Sequence, residues 1–278
     1  VAPSPDEQTA LLRAARSQRD GLIDRAVTGM TALWDVYGPG GEADWAAFWD
    51  TASWLMPQMM SGVASMTAAF MDRWALDGTS SGLIDTANGL RSVSLAEEMY
   101  RAWADYQRHV AKGWDPAEAL ADARQRLERI VRTDMQLAQT RQAQASLQAH
   151  GFAGFQRVPA GASSCALCLL AAGQLYHTSV LMPIHVSCDC GIAPVESGQQ
   201  PQWYGTADAI RAAILELDDD TFNRALDADG ELNYRAVRLA YSRVVEIHQH
   251  GDIGPVLTKR GDHFTGPAEV QQAIDAAR

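Results

Sequence analysis

Cysteine is nearly missing from this 278-residue chain: there are four, all between Cys165 and Cys190. A secreted disulfide scaffold spreads its bridges along the chain, so this clustering reads as metal binding in a reducing compartment. Positive charge is short as well. With 23 Lys and Arg against 34 Asp and Glu, the net charge is −11. Such a surface repels phosphate and disfavours a general nucleic-acid coat. The start of the chain does not read as a signal peptide, because Pro3, Pro5, Asp6 and Glu7 fall where an apolar stretch would be needed. A charge-free run from Thr51 to Met71 is just long enough to span a bilayer, but Pro57, Gln58, Gly62 and several Ser and Thr dilute it. No membrane span is expected.

What is present is a dense series of helix signals. Ser4-Pro5-Asp6-Glu7 combines a capping Ser, Pro at the first helical position and Glu at the third. The stripe Leu12, Ile23, Val27, Met30, Leu33 or Trp34, and Tyr37 follows, and Gly38-Pro39-Gly40-Gly41 stops it. A second helix runs from Asp44 to Trp74 with Pro57 as a break or kink, its core stripe being Leu55, Met59, Val63, Met66 and Phe70. Trp49, Met56, Met60 and Met71 are its anchors for a partner groove. Ser94 opens a third helix to Val110, and Asp115-Pro116-Ala117-Glu118 opens a fourth that ends near His150. Arg124, Arg126, Arg129, Arg132 and Arg141 on that helix form a solvated face or a local contact for an acidic partner or DNA backbone.

After Gly151 helical periodicity fades. Short strands or turns are expected at Gly173–Tyr176 and Val180–Met182. Helices should return over Thr206–Leu217, Asp219–Ala228 and Glu231–His250. Pro255–Thr258 and His263–Thr265, either side of Lys259-Arg260-Gly261-Asp262, suggest a hairpin, with a last helix from Pro267. The fold class is therefore mainly α: a helical region over 1–150, a small zinc-stabilised α+β module over 151–197, and a helical C-terminal segment over 198–278.

Cys165-Ala166-Leu167-Cys168 is a knuckle whose two thiolates can grip one ion from a tight turn. After sixteen intervening residues, His185-Val186-Ser187-Cys188-Asp189-Cys190 offers an imidazole and two more thiolates. Zinc takes four N/S ligands in a tetrahedron. Four of the five residues Cys165, Cys168, His185, Cys188 and Cys190 are expected to hold a structural Zn2+.

Arg132-Thr133-Asp134-Met135 within a helix, Phe155 after Gly154, Cys165-x-x-Cys168, Gly173 and His185-x-x-Cys188-x-Cys190 follow one another in a telling order. In this the chain resembles the MuF-like minor head proteins of tailed bacteriophages, and its tail His250–Leu257 is similar to C-terminal segments of actinobacteriophage head proteins. The family usually shows Pro after the His and Arg between the last two cysteines, where this chain has Val186 and Asp189. The resemblance implies a minor capsid protein of the virion, assembled in the host cytoplasm, lying at the portal or capsid interior. Its partners would be the portal or the major capsid protein, with no small-molecule substrate and no strong nucleic-acid binding.

An enzyme is the competing class. Some relatives in that family are capsid maturation proteases, and Ser163, Ser164 or Ser179 could be set against His150, His177 or His263. No G-x-S-x-G frames any of these serines. A zinc nuclease could use His177 or His248-Gln249-His250. The residues favour a protein without turnover.

Overall fold

The computed structural model describes residues 4–159, 164–185, 188, 190–198, 208, 210–212, 229–230 and 233–261. Four long helices come first: α1 (Pro5–Tyr37), α2 (Glu42–Ala75), α3 (Leu95–Ala111) and α4 (Pro116–Ala149). The capping signals act as their chemistry dictates. Ser4 accepts from the Glu7 amide while Glu7 reaches back to the Ser4 amide, Ser94 caps α3 through the Glu97 amide, and Asp115 caps α4 through Ala117 and Glu118.

Helix α2 lies between α1 and α4, and the packing corrects two expectations. The helix runs through Pro57 without a break, because Met56 and Met60 on either side of it are fully buried and hold both halves in place. A proline inside a helix costs about 3 kcal/mol, which such burial outweighs. The fully buried stripe is Phe48, Met56, Met60, Val63, Met71 and Trp74. Leu55, Met59 and Phe70 pack partly buried against the same core.

Helix α4 is the hub. From Thr133 to Thr140 every residue is buried, polar ones included. Gln142 clamps the loop between α2 and α3: its amide nitrogen donates to the Gly82 carbonyl (2.9 Å), and its oxygen accepts from the Ile84 amide (3.0 Å). Three arginines of α4 reach neighbouring helices, Arg124 to Asp35, Arg126 to Asp105 and Arg132 to Asp24, and Arg124 also pairs with Glu128 on α4 itself.

The remaining elements are small. Strands β1 (Gly154–Val158), β2 (Leu175–His177) and β3 (Gly191–Val195) form an antiparallel sheet in the order β2-β1-β3. Phe155 stands opposite Tyr176 and stacks on it at 5.2 Å. A side chain at Gly154 would bring its Cβ to 2.6 Å from the Tyr176 carbonyl oxygen, so this sheet position demands glycine. Helix α5 (Ala166–Ala171) links β1 to β2. Helix α6 (Tyr234–Val244) leads directly into β4 (Val245–His250), which pairs with β5 (Gly254–Lys259).

The helix expected over Glu231–His250 thus ends at Val244. Beyond it, Val245, Ile247 and their neighbours find a strand partner in β5, which β-branched residues favour over another helical turn. A hairpin turn lies at Gly251–Ile253, with Gly254 at φ +85°. Val180–Met182 forms no strand. Asp208 and residues 210–212 are helical as expected, whereas Asp219–Ala228, His263–Thr265 and the helix from Pro267 lie outside the described residues.

Phe155, Cys168, Tyr176, Ile184, Cys188 and Ile192 belong to the same apolar core as Met30, Met56 and Met135 of the helices. The small module is therefore packed into the bundle's interior.

Two ionic clusters brace the bundle, the first of them buried. Arg91 meets both Glu98 and Asp134. Burial, with the Asp134 carboxylate beside it, pushes Glu98 up to about 9. Between the ordinary glutamate pKa of 4.5 and about 9, the unfolded chain has lost this proton and the folded chain keeps it. Stability should therefore fall as pH rises through that window. Glu98→Gln, which keeps the neutral form, should flatten this slope in denaturant titrations. Arg91→Met should cost about 3–5 kcal/mol by leaving the Asp134 charge uncompensated.

His150 bridges Asp72 (2.8 Å) and Asp77 (2.9 Å). Burial opposes its charge, but the hydrogen bonds to Asp77 and Asp72 win and raise its pKa above 6.5. Its contribution is complete below pH 6.5 and is lost as pH rises through the raised value. His150→Asn should destabilise by on the order of 1 kcal/mol at pH 6 and by less at pH 9, read from urea midpoints at the two pH values.

Candidate metal centre

The five sequence candidates come from three segments, each fixed locally. Cys165 is the N-cap of α5 and accepts from the Cys168 amide (3.4 Å), so both knuckle sulfurs face one end of that short helix. His185 follows Ile184, which is tied to β5 by two backbone bonds: its amide donates to the Pro255 carbonyl and its carbonyl accepts from the Leu257 amide. The Cys188 amide closes a turn onto the His185 carbonyl (3.0 Å). Cys190 adjoins β3, and its carbonyl accepts from the Gln136 side chain of α4 (3.1 Å). The hairpin, β3 and α4 thus anchor the ligand-bearing loop from three directions.

These anchors bring the donors together. His185 Nε2 lies 3.0 Å from both Cys165 Sγ and Cys168 Sγ, and Cys168 Sγ lies 3.9 Å from Cys188 Sγ. The donor atoms of Cys165, Cys168 and His185 lie within 4.8 Å of one another, as do those of Cys168, Cys188 and Cys190. Cys168 belongs to both trios. Cys165 is at the surface, whereas Cys168, Cys188 and Cys190 are buried. This is a soft donor set on converging elements, and it could bind a metal ion. Asp189, Val186 and Ser187 lie outside the described residues.

The thiols of the cluster hold their protons unequally. The hydrogen bond from Cys168, helped by His185 and opposed by burial, draws Cys165 down to about 4. Cys168 is driven up by its contacts with Cys165, Cys188 and Cys190 and by burial. Cys188 is lowered, first by its hydrogen bond with Cys168. The bond with Cys168 pulls Cys190 down, yet Cys188 and burial outweigh it and raise it to about 12. Neighbouring thiols take alternate protonation states because so many sulfur charges cannot share one dry volume.

Sequence reasoning missed one participant. Arg157, on β1, is fully buried. Its Nη1 donates toward Cys168 Sγ (3.4 Å) and Cys188 Sγ (3.3 Å), and its Nη2 donates to the Pro183 carbonyl. Burial alone would lower its pKa, but the Cys168, Cys190 and Cys188 thiolates push it well above the usual guanidinium value. The signal available was an arginine in an apolar strand, eight residues before the first cysteine.

A family model described as VG15 protein matches residues 6–213, which takes in all four long helices and the sulfur cluster. The chain belongs to the VG15 protein family. This is a phage gene family, and membership points to a phage-encoded protein. No curated protein and no solved structure matches the chain. Among the described residues, no helix of this VG15 protein is long and apolar enough to cross a membrane.

The other expected pairs resolve differently. His177 Nδ1 and Ser179 Oγ meet at 2.8 Å, but both are exposed within one turn, and the Ser179 amide donates to the same ring nitrogen (3.1 Å). His150 is held by its two aspartates, and His250 accepts from the Asp252 amide. Ser163 and His263 lie outside the described residues.

Because Cys168 stands in both donor trios, Cys168→Ser should weaken metal binding most among the single cysteine changes. The loss should exceed the roughly 10–100-fold typical of removing an outer partner of a metal ligand. Competition with a chromophoric chelator in reducing buffer measures it.

Proposed function

We propose that this VG15 protein is a structural minor head protein of MuF-like type. It would reside in the virion at the portal or capsid interior and be stabilised by one structural Zn2+. The observation that carries the reading is the placement of the sulfur cluster inside the core that also holds the helical bundle together. Four ligands drawn from Cys165, Cys168, His185, Cys188 and Cys190 would saturate zinc. A saturated ion supplies folding energy and has no open position for water. The match to the VG15 family and the ordered motifs from Arg132 to Cys190 support a phage head component.

The contact with a head partner falls on the helical half, but not on the anchors that spacing alone suggests. Met56, Met60 and Met71 are fully buried and belong to the core. Trp49 is half-buried within an aromatic row. Trp45 stacks on Trp49 at 6.3 Å and meets Tyr100 edge-on at 5.3 Å, and Tyr100 lies 5.0 Å from Trp103. Tyr100 is 42% exposed. Aromatic side chains of this kind anchor protein interfaces.

The test is incorporation of the full chain into phage heads co-expressed with portal and capsid protein. The double variant Trp49→Ala, Tyr100→Ala should lose incorporation by about tenfold or more, in keeping with about 2 kcal/mol for an interface hot spot, while keeping its zinc. Undiminished incorporation would overturn the assignment of this face. A purified wild-type chain without zinc in reducing buffer would overturn the structural ion.

A further inference from the structure

We infer that Arg157 is the built-in counter-charge of the metal centre, a positioning residue that balances the excess charge of three thiolates around one divalent ion. The inference rests on the metal reading above and extends it to a residue that binds no metal itself.

The argument begins with burial. Arg157 is 0% exposed, and a guanidinium in a protein interior must meet compensating charge. Here its Nη1 faces sulfur, at 3.4 Å from Cys168 and 3.3 Å from Cys188, and its Nη2 is held by the Pro183 carbonyl two residues before His185. One side chain therefore touches the knuckle, the Cys188 turn and the backbone leading to His185. The middle strand of the sheet supplies it, with β2 and β3 on its two sides. That position leaves little freedom to swing away.

Charge counting then explains why a cation is needed beside a cation. A divalent ion with three thiolates and one neutral imidazole carries a net charge of −1. The set Cys165, Cys168, His185 and Cys188 is of this kind, and these residues make the short contacts described above. Arg157 brings the assembly to zero, so the core holds no unbalanced charge. Its hydrogen bonds also draw electron density from the thiolates, which fixes their orientation and tempers their donor strength.

The experiment uses the purified full-length chain with Zn2+ and Co2+ as probes. Zinc affinity comes from chelator competition, and the thiolate-to-Co2+ charge-transfer band reports electron density on sulfur. Arg157→Met should weaken zinc binding by roughly 10–100-fold and move the band to lower energy, while Arg157→Lys, which retains the charge, should stay closer to wild type on both measures. Adding Cys188→His to Arg157→Met gives two thiolates and two imidazoles, neutral without the arginine. That double variant should recover affinity, which the loss of a merely structural side chain would not allow. If Arg157→Met does not fold, a folded, metal-bound double variant still supports the inference, and an unfolded one contradicts it. Equal affinity and an unshifted band in Arg157→Met would overturn it with the metal reading intact. A wild-type chain that takes up neither ion would remove both.

Discussion

The constraint on which the rest of this structure depends is the burial of three sulfurs and a guanidinium in one shared core, with a fourth sulfur at its surface. Thiolates brought this close repel one another, and an arginine in a dry interior is costly unless neutralised. The fold confines them together from every side. Strand β1 delivers Arg157, α5 delivers the knuckle, the β5 edge holds the His185 segment, and α4 grips the Cys190 carbonyl. A divalent ion bound there would convert this from an electrostatic conflict into a point of attachment for all four.

The same logic recurs in the bundle. Arg91 balances Glu98 and Asp134, with one proton retained by the carboxyl pair, and His150 joins the end of α4 to Asp72 and Asp77 near the end of α2. Arg101 ties α3 to Asp252 in the β4–β5 turn (2.7 Å), and Ser92 donates to the Gly251 carbonyl in that turn. The hairpin that braces the His185 loop is thus itself moored to the helices. A chain of specific polar contacts runs from the bundle through the hairpin to the metal ligands, so bundle and module stabilise each other.

Much of this was legible in the residues. Capping boxes and 3.6-residue periodicity marked the four long helices, since these signals act within a few residues of one another. The knuckle spacing and the His-x-x-Cys-x-Cys run marked the cluster because closely spaced cysteines and a histidine are a local signal. What escaped depends on distant partners. The switch from α6 to β4 is decided by the availability of β5, and the sharing of α2's faces depends on α1 and α4 flanking it. Arg157 could not be assigned from spacing, because only the pairing of β1 with its neighbours sets it beside Cys168 and Cys188. The partial burial of Trp49 and full burial of Met56 and Met60 likewise follow from how α2 is packed, whereas their spacing fits either role.

The most direct measurement of the central claim is X-ray absorption at the zinc edge on the purified full-length protein. Three sulfurs at about 2.3 Å and one nitrogen at about 2.0–2.1 Å are the result this account predicts. A shell made only of oxygen and nitrogen, or a chain that retains no zinc, would contradict it.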